Sequence, residues 1–175
     1  MRASTGTATN RSNCHPFGYK NWLFMHNGQI GGYEKLRWHL DRLIPEHLYS
    51  YRRGATDSEV IFLLMIANGL EEDINKALTM TIKQIEKIMQ DKNIDEPLRF
   101  ASALSNGESV TVIRYASDEH APTVYCKQFE DYLVVGSEPL ELSGDGWNLI
   151  PQGHIATLNS STPFESQALF ENTPI

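Results

Sequence analysis

A change of apolar period near Pro97 divides this chain into a helical stretch and a β-rich stretch. Over residues 33–43, Leu36, Leu40 and Leu43 fall four and three apart, which sets them on one helical face while Glu34, Lys35, Arg37, Asp41 and Arg42 face water. Pro45 stops or restarts that helix. Thr56 and Glu59 have capping-box spacing, so another helix starts there, carries the apolar run 60–67 and ends just before Gly69. A third covers roughly residues 72–90, with Ile74, Leu78, Ile82, Ile85 and Met89 at helical spacing. Beyond Pro97 the pattern is that of strands. Residues 99–104 and 109–115 flank the hairpin turn Asn106-Gly107, with Val110, Val112 or Ile113 inward, and 123–129 and 132–135 form a second hairpin joined at Glu130-Asp131. Residues 147–158 supply two short strands around Gln152-Gly153, and the chain from Ser160 on is a tail or a last packing segment. Helices set between strands in this way predict an α+β domain with mostly antiparallel sheet.

Upstream of the helices, residues 22–25 are aromatic and aliphatic and read as a buried strand, which His26-Asn27-Gly28 ends. Two readings of that tripeptide stand side by side. Asn-Gly is the commonest kind of tight turn. Equally, the Asn27 side chain offers an NH2 and Gly28 lets the backbone approach a ligand with its N–H outward, the pair of donors that a developing oxyanion needs. Asp57 is similarly double in character. It belongs to a well-formed helix start, and it is also an acceptor beside a helix N-terminus where an ammonium group would be held. Arg2 is either a solvated terminal residue or a bidentate carboxylate clamp. His15, before Pro16, reads as a loop-packing residue rather than a base.

With 175 residues, 41% of them hydrophobic, the chain has enough apolar material for one globular domain with a real core. A net charge of −7 without clustered Lys and Arg argues against a nucleic-acid or anionic-membrane surface. No apolar run reaches the length of a membrane span, and residues 1–11 lack the apolar core of a signal peptide, so the cytoplasm is the expected compartment. The two cysteines, Cys14 and Cys126, stand in no metal or redox spacing and are expected to be reduced thiols. No metal or cofactor site is expected, and a homo-oligomer stands open among the partners.

Four stretches in order, Arg2-Ala3-Ser4-Thr5, Asn13-Cys14-His15-Pro16-Phe17, Trp22 to Gly28, and Thr56-Asp57-Ser58-Glu59, resemble the type 2 (class II) glutamine amidotransferase domain, its small stand-alone members above all. Gly136 to Leu140 resembles a later strand of the same domain. The resemblance implies the four-layer αββα sandwich of the N-terminal-nucleophile hydrolases, of which this chain would carry part. It implies that Arg2 grips the substrate α-carboxylate, that Thr5 lines the glutamine pocket, that Asn27 and Gly28 form the oxyanion pair, and that Asp57 holds the α-ammonium. The substrate would be glutamine or a γ-glutamyl compound. The family's nucleophile is a first-residue Cys whose own amine is the base; it lies well upstream of the Arg motif and has no counterpart here. Cys14 sits mid-chain with no terminal amine, so it is no substitute. The chain is therefore expected to be a single domain, residues 1–175, forming the C-terminal part of an amidotransferase domain, inactive alone. The alternative is a glutamine- or glutamate-binding remnant without catalysis.

Overall fold

The computed structural model describes residues 10–141, 144–159 and 164–170. Arg2 and Thr5 lie outside the described residues. The chain divides into two compact units, one of Met1–Tyr19 with Gln29–Glu96 and one of Lys20–Gly28 with Pro97–Ile175.

The first unit holds a 3-10 turn at Arg11–Asn13, a short strand β1 (Phe17–Tyr19) and four helices, α1 (Tyr33–Asp41), α2 (Glu46–Tyr49), α3 (Asp57–Ala67) and α4 (Ile74–Asp91). In α1, Leu36 and Leu40 are fully buried as their spacing predicts, whereas Leu43 is 40% exposed. The difference comes from the way the helix ends. Leu43 N donates to Leu40 O and Ile44 N to Asp41 O, so the last turn tightens to three-residue bonds ahead of Pro45, which rotates Leu43 off the face and brings Ile44 inward. Helix α3 is buried from Ser58 to Ile66 on every face, the environment that its unbroken apolar run requires. Helix α4 is amphipathic, capped by the Asp73 side chain on Lys76 N, and buries Leu78, Ile82, Ile85 and Met89.

The second unit is built from strands. Within this unit one sheet runs β2-β3-β4-β8-β9, where β2 is Trp22–Gln29, its last residue counted with the first unit, β3 is Arg99–Ser105, β4 is Val110–Ala116, β8 is His154–Leu158 and β9 is Gln167–Ala168. Strands β3 and β4 pair antiparallel from Arg99 opposite Ala116 to Ser105 opposite Val110, the hairpin that Asn106-Gly107 predicts. A second sheet, β6-β5-β7, combines β5 (Tyr125–Gln128), β6 (Leu133–Gly136) and β7 (Asn148–Leu149). Ala101, Val112, Ala156 and Leu158 of the first sheet pack with Val124, Cys126 and Ile150, and that cluster is the apolar seam between the two sheets. The strands on either side of Gln152-Gly153 thus belong to different sheets: β7 pairs with β5, and β8 with β4. The segment from Ser160 on is in part a packing segment, since β9 pairs with β8.

Candidate functional site

Strand β2 runs through the tripeptide that the sequence reads as its end. Its burial alternates, with Trp22, Phe24 and His26 inside and Leu23, Met25 and Asn27 exposed, so the strand is half-buried rather than wholly buried. The His26 ring forms a cluster with two others, stacked at 6.2 Å from Phe24 and tilted at 5.1 Å from Phe100, and its Nε2 stands 3.3 Å from the Arg99 carbonyl. Gly28 is not a turn residue. A Cβ there would meet the Arg99 carbonyl oxygen at 1.9 Å, so glycine is demanded by close approach to β3. The consequence for Asn27 is simple. Alternation turns its amide outward, on the face opposite to His26.

Asp57 is the first residue of α3. Its Oδ1 accepts from Ser58 N at 2.8 Å and its Oδ2 from Ile30 N at 3.0 Å, so two backbone amides fix the plane of the carboxylate. Oδ1 also accepts from the Ser58 hydroxyl at 3.4 Å, and Oδ2 keeps a further lone pair for a donor. The helix start behaves as expected in one half only. Thr56 Oγ1 caps Glu59 N at 3.2 Å, but the Glu59 carboxylate reaches further back than a capping box does, to Arg53 N at 3.0 Å, Gly54 N at 2.9 Å and the Arg52 guanidinium at 2.6 Å.

That guanidinium is the centre of a network the sequence did not disclose. Arg52 donates to Asp41 Oδ1 at 3.1 Å, to the Thr56 carbonyl at 3.0 Å and to the Tyr33 hydroxyl at 2.6 Å. Its side chain and that of Glu59 are 4% and 5% exposed. Burial pushes the Tyr33 phenol well above the ordinary tyrosine range, so the hydroxyl stays neutral and donates to the Thr56 carbonyl at 3.2 Å. Asn13, in the loop motif before β1, accepts from Ala55 N at 2.8 Å, and a side chain at Gly54 would collide with Asn13 Oδ1 at 2.4 Å. Only the Thr56–Glu59 spacing hinted at any of this. The partners are 11, 19 and 42 residues apart in sequence.

The two thiols differ sharply. Cys14 is exposed, whereas Cys126 is buried in β5 and burial raises its thiol pKa to about 11. Because the thiolate is the reactive species, a disulfide reagent at neutral pH is expected to modify Cys14 in the folded protein and Cys126 only after denaturation. Two fast-reacting thiols in the native state would contradict the burial of β5. Among the described residues no cluster of His, Cys, Asp and Glu has the geometry to hold a metal ion, and no helix is long and apolar enough to cross a membrane.

The sequence profile of the class-II glutamine amidotransferases matches residues 1–126. A solved structure described as a glutamine aminotransferase class-II domain protein from Silicibacter pomeroyi is 37% identical, with a TM-score of 0.82 over 91% of this chain and 72% of that one. The probable glutamine amidotransferase DUG3 of Saccharomyces cerevisiae is 27% identical over 93% of this chain, which spans only 56% of the yeast protein's length. Glutamine phosphoribosylpyrophosphate amidotransferase of Bacillus subtilis superposes with a TM-score of 0.63 over 94% of this chain and 34% of its own, and at 16% identity speaks to the fold alone. These likenesses bear out the expected fold class, α+β of the N-terminal-nucleophile hydrolase type.

Proposed function

The chain belongs to the class-II glutamine amidotransferases, and on that premise we propose that it supplies the head-group pocket and the oxyanion donors of a catalyst that hydrolyses the γ-amide of glutamine or of a γ-glutamyl compound. The observation that carries this reading is the Asp57 carboxylate, held by Ser58 N and Ile30 N at the start of α3 with acceptor capacity to spare. A fixed carboxylate at such a place is suited to an α-ammonium group. Arg2 would take the α-carboxylate and Thr5 would line the glutamine pocket, as the resemblance of the Arg2-Ala3-Ser4-Thr5 motif implies.

In this reading the attacking thiol belongs to sequence beyond these 175 residues. Cys126 is buried with a raised pKa, and Cys14 stands mid-chain in a loop, so neither carries the terminal amine that serves as base in this chemistry. As sulfur adds to the amide carbon, the carbonyl oxygen gains charge and is met by the Asn27 side-chain amide and the Gly28 N–H. Collapse of that adduct, with a proton delivered to nitrogen, releases ammonia and leaves a thioester for water to cleave.

The test has two parts. Ammonia release from L-glutamine is measured for the chain alone and for the chain joined to the coding sequence in frame upstream of Met1; activity only in the longer protein supports the proposal. Calorimetry of the chain alone with glutamine separates the alternatives. Heat without turnover in either form favours a binding protein, and no heat at millimolar ligand with no turnover overturns both. In an active form, Asp57→Asn is expected to raise KM about tenfold or more with kcat changed far less, because the ammonium contact exists equally in the ground and transition states. A fall in kcat at unchanged KM would remove Asp57 from the ammonium site.

A further inference from the structure

The four residues ahead of Asp57 are each held by a side chain from elsewhere in the first unit. Glu59 takes the N–H groups of Arg53 and Gly54, Asn13 takes that of Ala55, and Arg52 and Tyr33 both donate to the carbonyl of Thr56. That carbonyl belongs to the peptide plane that ends at the Asp57 nitrogen. Two donors on it, from directions set by a buried guanidinium and a half-buried phenol, fix the rotation of the plane and hence the direction in which the Asp57 Cα–Cβ bond leaves the backbone. The carboxylate end is fixed separately by Ser58 N and Ile30 N.

Stability is a weak explanation for such an arrangement. A buried ion pair gains little net free energy, because desolvating both charges offsets their attraction, and apolar residues of similar volume commonly do as well. What the planar five-donor fork of Arg52 provides, and an apolar or ammonium side chain does not, is simultaneous bonding to Asp41, Glu59, Tyr33 and the Thr56 carbonyl. We propose that Arg52, Glu59 and Tyr33 are positioning residues for Asp57, which aim its carboxylate at the α-ammonium group of the substrate. The proposal rests on the reading of Asp57 given above. The network itself touches no substrate.

The experiment compares two ligands by calorimetry, L-glutamine and glutaramic acid, which is glutamine without its α-ammonium. The protein used is the longer form if it proves active and the chain itself otherwise. The wild type is expected to prefer glutamine, and Asp57→Asn to lose about tenfold of that preference. Arg52→Lys, which keeps the charge but not the fork, is expected to lose nearly as much while the affinity for glutaramic acid stays within about twofold. Tyr33→Phe removes one hydroxyl and leaves the packing in place, so it carries the test should Arg52→Lys fail to fold; a loss of about threefold is expected. Combined with Asp57→Asn, neither change lowers the preference further, since all act on one contact. A merely structural role predicts a lower melting temperature and equal weakening of both ligands, or no weakening, with the ratio between them intact; that result overturns the positioning role while Asp57→Asn still abolishes the preference. A wild type that binds the two ligands equally, or an Asp57→Asn variant that keeps its preference, overturns the Asp57 reading and the positioning proposal with it.

Discussion

Asn27→Ala in a catalytically complete form of this protein lowers kcat for glutamine hydrolysis by about a hundredfold and leaves KM within about threefold, if its side chain is an oxyanion donor. The magnitude follows from when the contact exists. A ground-state amide oxygen carries little charge and gains little from one further hydrogen bond, whereas the oxygen of the tetrahedral adduct carries nearly a full charge and loses a charge-assisted one. The surroundings allow the experiment to be read cleanly. Asn27 is exposed on the outward face of β2, between the buried His26 and a glycine, so truncation opens no cavity and the fold is expected to keep its stability within about 0.5 kcal/mol. Single-turnover ammonia release with saturating glutamine measures the effect directly. Asn27→Asp sharpens it, because a carboxylate there repels the oxyanion instead of donating to it, and turnover falls further than with alanine. A variant whose KM rises while kcat holds assigns Asn27 to substrate binding and leaves the oxyanion to other donors.

The parts of the structure legible in the sequence are those where one local signal suffices. The α4 stripe of Leu78, Ile82, Ile85 and Met89, the Thr56 cap on Glu59 N and the Asn106-Gly107 hairpin each follow from residues within one or two turns of chain. Where reading failed, the deciding partner is distant. His26-Asn27-Gly28 has the composition of a turn, yet its glycine answers to a carbonyl 71 residues away, and β2 therefore continues to Gln29. The allotment of β7 and β8 to different sheets depends on their pairing with β5 and β4, which no local pattern announces. The candidate site divides in the same way. Asp57 is visible as an acceptor at a helix start, but the amide of Ile30 that orients it and the Arg52 network behind it are tertiary facts. Charged residues such as Arg52 and Glu59 read as solvated surface because most are; here two carboxylates, a phenol and a carbonyl surround the guanidinium and make burial tolerable.

Gly28→Ala destabilises the fold before it touches the chemistry. Its Cβ would stand 1.9 Å from the Arg99 carbonyl oxygen, 2.7 Å from the carbonyl carbon and 2.7 Å from His26 Nε2, and the residue has a φ of 153° that side chains rarely adopt. Relief is hard to find, since the obstacle is backbone rather than the end of a flexible side chain. Arg99 lies in β3, which is hydrogen-bonded to β2 on one side and to β4 on the other, so moving its carbonyl disturbs two ladders. The expected loss is about 3 kcal/mol or more, at or beyond the upper end of ordinary overpacking. In a chain of this length that is a fall of about 10 °C in melting temperature or, where stability is marginal, failure to accumulate as folded protein. Urea titration of Gly28→Ala beside Asn27→Ala reads the contrast, and an unchanged midpoint for Gly28→Ala would mean that β2 and β3 do not approach as described. The two neighbours then carry opposite signatures: one loses turnover in a stable fold, the other loses the fold. Their separation matters for the oxyanion reading, because in that reading the close approach to β3 would hold the Gly28 N–H in place as charge develops.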